Sequence, residues 1–324
     1  MSSDPDYLSL LNVAAEKLGA RSVSCSDDFF AEKENLLKPG RGVFIKDKYT
    51  DQGKWMDGWE SRRKRVPGHD WCVVKLAATS VIKGVDVDTN HFLGNHPPFC
   101  SIDACNSQKL KAEHAEWKEI LPKSPLSPGS QHLFEIKDRH LWTHVKLHIY
   151  PDGGVARLKV YGEIHIDWSL VMSDEEIDLA AAINGAKSIA CNDMFFSHMD
   201  NLIMPGIALN MGDGWETKRN RTPGNRDWVI VRLAHKGIVN RIIVDTNHFK
   251  GNYPDSCSIE GCLSPDDNLK NMDWTLILPK MKLEPDKKHY FDSELISVAE
   301  ISHLRLNIFP DGGISRLRVL GYIR

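Results

Sequence analysis

No stretch of this 324-residue chain approaches the ~18–20 consecutive apolar residues that a membrane-spanning helix requires. Charge of one sign is also lacking: 41 basic residues face 44 acidic ones. That near-balance gives no electrostatic reason to expect nucleic acid or an anionic membrane as partner. Residues 1–6 are acidic and lack the basic-then-apolar order of a secretory leader, so none is expected. Cys-x-x-Cys is absent among the seven cysteines. The odd count and the missing leader point to free thiols in a reducing, cytoplasmic compartment. Cys100/Cys105 and Cys257/Cys262 recur at matching places but without zinc-type spacing, and read as small apolar residues on buried strands. Also missing are a Gly-x-Ser-x-Gly elbow, a phosphate loop, a dinucleotide fingerprint and His-Glu-x-x-His. The commonest hydrolase, kinase, dehydrogenase and zinc-protease chemistries lose their markers.

What is present is a duplication. Cys25-Ser26-Asp27-Asp28-Phe29-Phe30 returns as Cys191-Asn192-Asp193-Met194-Phe195-Phe196, and Asp57-Gly58-Trp59-Glu60 as Asp213-Gly214-Trp215-Glu216. Asp88-Thr89-Asn90-His91-Phe92 returns unchanged as Asp245-Thr246-Asn247-His248-Phe249. Gly94-Asn95 matches Gly251-Asn252. Pro151-Asp152-Gly153-Gly154 with Arg157 matches Pro310-Asp311-Gly312-Gly313 with Arg316. A repeat of half the chain is a whole domain rather than a solenoid unit. The boundary is expected near residue 170, giving a first repeat over 1–168 and a second over 169–324.

Within each copy the pattern is short apolar or β-branched runs separated by turns. Residues 71–76, 81–88, 99–105 and 117–121 are expected strands. Val145, Leu147 and Ile149 alternate with Lys146 and His148 in the period of two that marks a half-buried strand. His144 and His148 share one face of it and read as surface residues. With no alternation of long helices, the class is all-β: two antiparallel jelly-roll β-sandwiches in tandem, galactose-binding-like. One short helix is expected before each. The first follows Asp4-Pro5, with Leu8, Leu11, Ala15 and Leu18 on one face; the second is capped by Ser173 with Glu176 and ends at Asn184-Gly185.

Glu60 stands within a few residues of Arg62 and Arg63, which suits either a polar ligand or a buried ion pair tying down a loop. Asp88, Asn90, His91, Asn95 and His96 form the densest polar cluster. It could supply an acid or base and amides for a ureido group, or simply turn chemistry. His91 and His96 do not belong to a recognised zinc arrangement. His96 is replaced by Tyr253 in the second copy, the clearest polar difference between the two. Asp152 sits in a hairpin turn, and Arg157 beyond it has the forked geometry to grip a carboxylate. From pattern alone, an enzyme of unfamiliar type and a lectin-like binding module both stand.

The duplicated Asp-Gly-Trp-Glu-x-x-Arg, Asp-Trp, Asp-Thr-x-x-Phe-x-Gly-Asn and Pro-Asp-Gly-Gly-x-x-Arg series closely resembles the allantoicase family, over residues 20–321. The resemblance implies a tandem jelly roll, a homo-oligomer, and hydrolysis of allantoate to ureidoglycolate and urea in purine degradation. The alternative is a non-catalytic jelly-roll protein binding a small molecule or carbohydrate. Urea leaving intact means that the bond cut joins the central methine carbon to a ureido nitrogen. Such a reaction needs an acid/base pair, groups to hold ureido units, and a cation for the carboxylate. Glu60, Asp88, His91 and His96 are the catalytic candidates. Arg62, Arg63, Asn95, Asp152 and Arg157 are candidate substrate-binding residues, together with Glu216, Arg219, Asp245, His248, Asn252, Asp311 and Arg316 of the second copy. No cofactor is expected, and spacing indicates no metal site.

Overall fold

The computed structural model describes residues 5–107, 115–296 and 299–324. The chain divides into two compact units, Met1–His165 and Ile166–Arg324. In the first, the strands are β1 (Leu11–Asn12), β2 (Arg21–Cys25), β3 (Tyr49–Thr50), β4 (Gly53–Lys54), β5 (Trp59–Glu60), β6 (Asp70–Asp88), β7 (Phe99–Cys105), β8 (Lys118–Pro125), β9 (Gln131–Glu135), β10 (Leu141–Tyr150), β11 (Gly154–Val155) and β12 (Arg157–Ile164). The second unit continues with β13 (Ile177–Asp178), β14 (Lys187–Cys191), β15 (Trp215–Glu216), β16 (Asp227–Asp245), β17 (Ser256–Cys262), β18 (Thr275–Lys282), β19 (Lys288–Phe291), β20 (Ile301–Phe309), β21 (Gly313–Ile314) and β22 (Arg316–Ile323). All pairings are antiparallel, and each unit is the expected jelly-roll sandwich.

The runs 71–76 and 81–88, expected as two strands, are halves of one 19-residue strand, β6. Its N-terminal half pairs with β2 and β10, and its C-terminal half with β12 and β9. A strand that passes from one layer to the other is how a sandwich turns its corner. Residues 77–80, which break the apolar period between the two expected runs, are extended as well. Cys72, Val74, Leu76, Ile82, Val85 and Val87 of β6 face a core shared with Ile102, Val145, Leu147, Ile149, Leu158 and Val160. β16 repeats the arrangement in the second unit.

Neither expected helix forms among the described residues; Asp4, the proposed cap of the first, lies outside them. Residues Asp6–Ser9 and Glu16–Leu18 are single 3-10 turns flanking β1. The reason is local competition for backbone donors. Asn12 Oδ1 accepts from Ala14 N (3.1 Å) and from Val160 N (2.9 Å), while Val13 N donates to Val160 O (2.8 Å). Those donors join the sheet instead of a helical ladder. Asp178 does the same in the second unit, accepting from Ala180 N and Val319 N. There Glu176 accepts from Asn240 rather than closing a capping box.

The motifs that define the repeat build one end of each sandwich. Trp59 is fully buried, and its indole N–H donates to Asp27 O at 2.8 Å; Trp215 does the same to Asp193 O. Phe92 is also fully buried, with its ring against Gly58 and Gly154. A side-chain carbon on Gly58 would stand 2.6 Å from Val155 O, and one on Gly154 would overlap the Phe92 ring. Phe249 sits in the same way against Gly214 and Gly313. The Asp-Thr-Asn-His turn that delivers Phe92 holds His91 at φ 67°, and His248 at 68°. Much of the duplicated series is therefore packing and turn chemistry that places the loops.

Candidate active site at the loop end of the first repeat

β5 is a two-residue strand held on both sides, by β11 and by an isolated bridge to Ala31. This fixes Glu60 at the mouth of a cavity of about 510 Å³. Glu60, Asn95, His96, Arg63, Lys64 and Asp152 line it, with Phe30 and Pro98 at its apolar edge. Asn95 Nδ2 donates to Glu60 Oε1 at 2.7 Å. Burial raises the Glu60 carboxyl above the ordinary glutamate range, and the Asn95 hydrogen bond offsets only part of this. A carboxyl held in that way carries a proton closer to neutrality than a free glutamate does. His96 Nδ1 is buried and has no hydrogen-bond partner among the described residues. Asp152 Oδ2 accepts from Lys64 N at 2.8 Å, which shapes the loop bearing Arg63. Arg63 is exposed on the cavity wall, with no protein carboxylate bound to it among the described residues.

Of the residues singled out in the sequence, Glu60, Arg63, Asn95, His96 and Asp152 thus converge. The others are engaged elsewhere. Asp88 is fully buried and held by Arg41 through two hydrogen bonds of 2.7 and 3.0 Å, and it caps Asn90 N. His91 lies beside the Phe44 ring. Arg62 is paired with Asp27 at 2.6 Å and lies over the Phe29 ring. Arg157 is buried and spends its guanidinium on Asp57 Oδ2 (2.8 Å), Asp57 O (2.9 Å) and Ala156 O (2.7 Å). In the second repeat Arg316 holds Asp213 similarly, Asp245 caps Asn247 N, and His248 bonds Ala208 O. Asn252 donates to Glu216, and Asp311 accepts from Asn220 N. Arg219 is exposed on the wall of a separate cavity.

Sequence reasoning missed Lys64, Phe30 and Arg41. Lys64 carried a usable signal, because its counterpart in the repeat is Asn220. Arg41 follows Pro39-Gly40, which matches Pro205-Gly206, and the second repeat has Ile207 in its place, so the duplication gave it no counterpart cation. His144 and His148, expected at the surface, are buried instead. His148 Nε2 lies 3.0 Å from Asp103 Oδ2 and its Nδ1 lies 2.9 Å from His69 Nε2, a chain of three polar groups that shields the ring. Its second-repeat counterpart is Asn307, bonded to Glu260.

All seven cysteines are free. Among the described residues, no group of three or more His, Cys, Asp or Glu side chains stands together as a metal site. No described helix is long and apolar enough to cross a membrane.

Known proteins carry the same duplicated pattern. The allantoicase repeat family matches residues 11–165 and again 177–324. A probable allantoicase of Pseudomonas syringae pv. syringae (strain B728a) is 50% identical over 319 residues, covering 97% of this chain and 96% of the relative. Probable allantoicase 1 of Burkholderia mallei (strain ATCC 23344) is 50% identical over 317 residues, covering 96% and 94%. The crystal structure of allantoicase from Saccharomyces cerevisiae superposes with a TM-score of 0.81 at 39% identity, covering 96% of this chain and 93% of that one. The chain belongs to the allantoicase family.

Proposed function

We infer that this chain hydrolyses allantoate to ureidoglycolate and urea, and that the first-repeat cavity around Glu60 is where it does so. The observation that carries the assignment of site is the Glu60 carboxyl itself. It is desolvated, raised above its ordinary range, and tied by Asn95 inside a cavity that also holds an imidazole nitrogen and a guanidinium with no partner among the described residues.

The chemistry follows from those groups. Arg63 takes the substrate carboxylate. Glu60 in its protonated form gives its proton to one ureido nitrogen as the bond from that nitrogen to the central carbon breaks. The lone pair of the other ureido nitrogen moves in, leaving an iminium-like carbon. His96 accepts a proton from water as the oxygen attacks that carbon. Urea and ureidoglycolate are the products, and proton transfer from His96 back to Glu60 resets the pair. A carboxyl raised above its ordinary range can carry the proton that acid catalysis of this step requires.

The same reading places the protein in a reducing, cytoplasmic setting, in line with seven free thiols. It also makes the protein a homo-oligomer. Exposed apolar side chains at the loop ends, among them Phe44, Leu93, Phe195 and Leu209, supply surface for association. The deciding assay is urea release from allantoate by the purified protein, with ureidoglycolate as co-product. Saccharide binding without turnover would overturn the reading.

A further inference from the structure

The two repeats treat one buried aspartate differently. In the first, Asp70 Oδ1 accepts from Ser26 Oγ at 2.8 Å and is neutralised by Lys64 Nζ at 2.6 Å. In the second, Asn220 stands where Lys64 does, and its backbone is held identically: Lys64 N donates to Asp152 Oδ2 and Asn220 N to Asp311 Oδ2. The Asn220 side chain turns away to cap Thr222 N at 3.0 Å. Asp227 is left with neutral donors only, Asn192 Nδ2 at 2.7 Å and Asn225 Nδ2 at 3.4 Å, both on Oδ1. Its Oδ2, like that of Asp70, has no partner among the described residues, and Asp227 is only 2% exposed; what the second repeat lacks is the neighbouring cation. Where the lysine would lie, a cavity of about 390 Å³ opens, with Asp227 on its wall and Arg219 and Arg221 at its rim. Neither arginine has a protein carboxylate partner among the described residues, as is also true of Arg63, the first-repeat counterpart of Arg219.

A buried carboxylate without a cation is costly, and a donor that reaches it recovers much of that cost. The cavity thus offers an anionic acceptor deep in its wall and two forked cations at its mouth. We propose that this second-repeat cavity is a binding subsite for a small ureido acid, its N–H groups directed at Asp227 and its carboxylate at Arg219 and Arg221. The subsite has no counterpart of the Glu60–His96 pair on its walls, so it binds without cleaving. It rests on the reading above only for the choice of ligand class.

Hydantoate, which has one ureido group and one carboxylate and no second ureido nitrogen to expel it, is the probe. Calorimetry on the full chain should find two hydantoate sites per chain. Asn220→Lys recreates the internal ion pair of the first repeat and should fill the cavity, removing one site or weakening it at least tenfold. Urea release from saturating allantoate should stay within about twofold, since Asn220 belongs to the second repeat and does not line the Glu60 cavity. Asp227→Asn is the second variant and should weaken the same site. Hydantoate stoichiometry and affinity unchanged in folded Asn220→Lys protein, or no hydantoate binding in the wild type, would overturn the subsite. A wild type with one hydantoate site, lost in Asn220→Lys, would uphold the subsite and instead overturn substrate binding in the first repeat.

Discussion

Asn95 donates its side-chain amide to Glu60 across 2.7 Å, and Asn252 makes the same contact to Glu216. The pair is duplicated, but what faces it is not: His96 in one repeat, Tyr253 in the other. An amide that donates to one carboxyl oxygen leaves the second free to carry a proton into the cavity.

Glu60→Gln keeps that amide contact and removes the proton, so kcat should fall by roughly 10²–10⁴-fold. Stability should move the other way. The folded-state pKa of Glu60 is raised, so its contribution is fully present below the unfolded value of ~4.3 and is lost as pH rises through the folded one. At pH 7–8 the variant should melt no lower than the wild type, and its advantage should shrink toward pH 4. Parallel melting curves and kinetics check both halves; a variant that melts lower and turns over normally would mark Glu60 as structural.

His96→Tyr should abolish most turnover, because a phenol with pKa ~10 does not accept a proton near neutrality. Tyr253→His should leave turnover nearly unchanged. Equal and small effects would remove His96 from the mechanism.

Arg157 is a clamp in the structure, so Arg157→Ala should cost stability on the order of 3–5 kcal/mol through the stranded Asp57 carboxylate. KM for allantoate in whatever stays folded should not change. A raised KM with an unaltered melting temperature would return Arg157 to the substrate.

The His69 and His148 imidazoles are both pushed below their ordinary range, mainly by burial; Asp103 opposes this at His148, and Lys146 adds to it at both. Lys64 also lowers His69, while Asp70 and Asp103 raise it. A histidine depressed on folding contributes stability that is present above its unfolded pKa, ~6.5, and is lost as pH falls through the folded one. Denaturation midpoints should therefore fall between pH 7.5 and 5. His148→Asn, which copies Asn307, should flatten that fall. An unchanged slope would show that the pair does not titrate on unfolding.

All seven thiols should titrate in unreduced, denatured protein. In the native protein Cys100 and Cys257, pushed up to about 12 by burial, should resist modification far longer than half-buried Cys25 and Cys191. Fewer than five titratable thiols would contradict the reducing setting.

The duplication, the all-β class and most strand positions were legible because they rest on period-two burial and on turn residues, both local in sequence. The N-terminal helices were misread because Leu8, Leu11, Ala15 and Leu18 have helical spacing, while the deciding contacts, Asn12 to Val160 and Val13 to Val160, span nearly the whole repeat. The site was legible in part for the same reason. Glu60, Asn95 and His96 stood out as polar residues in repeated motifs. Only the fold could show that Asp88 and Arg157, equally prominent, are consumed by Arg41 and Asp57. The buried His148 was hidden because outward alternation on a strand says nothing about a partner imidazole arriving from another loop.

The continuity of β6 has a consequence for how each repeat comes apart. Because one strand supplies neighbours to both layers, neither layer can lose its central pairing without dragging the other. Amide hydrogens of 72–75 and 84–87 should therefore exchange through a single opening event with one free energy, as one cooperative unit. The loops that carry Glu60 and Asn95 hang from the ends of that unit. Glu60 and Asn95 are thus seated on a rail whose loss would take the whole sandwich with it.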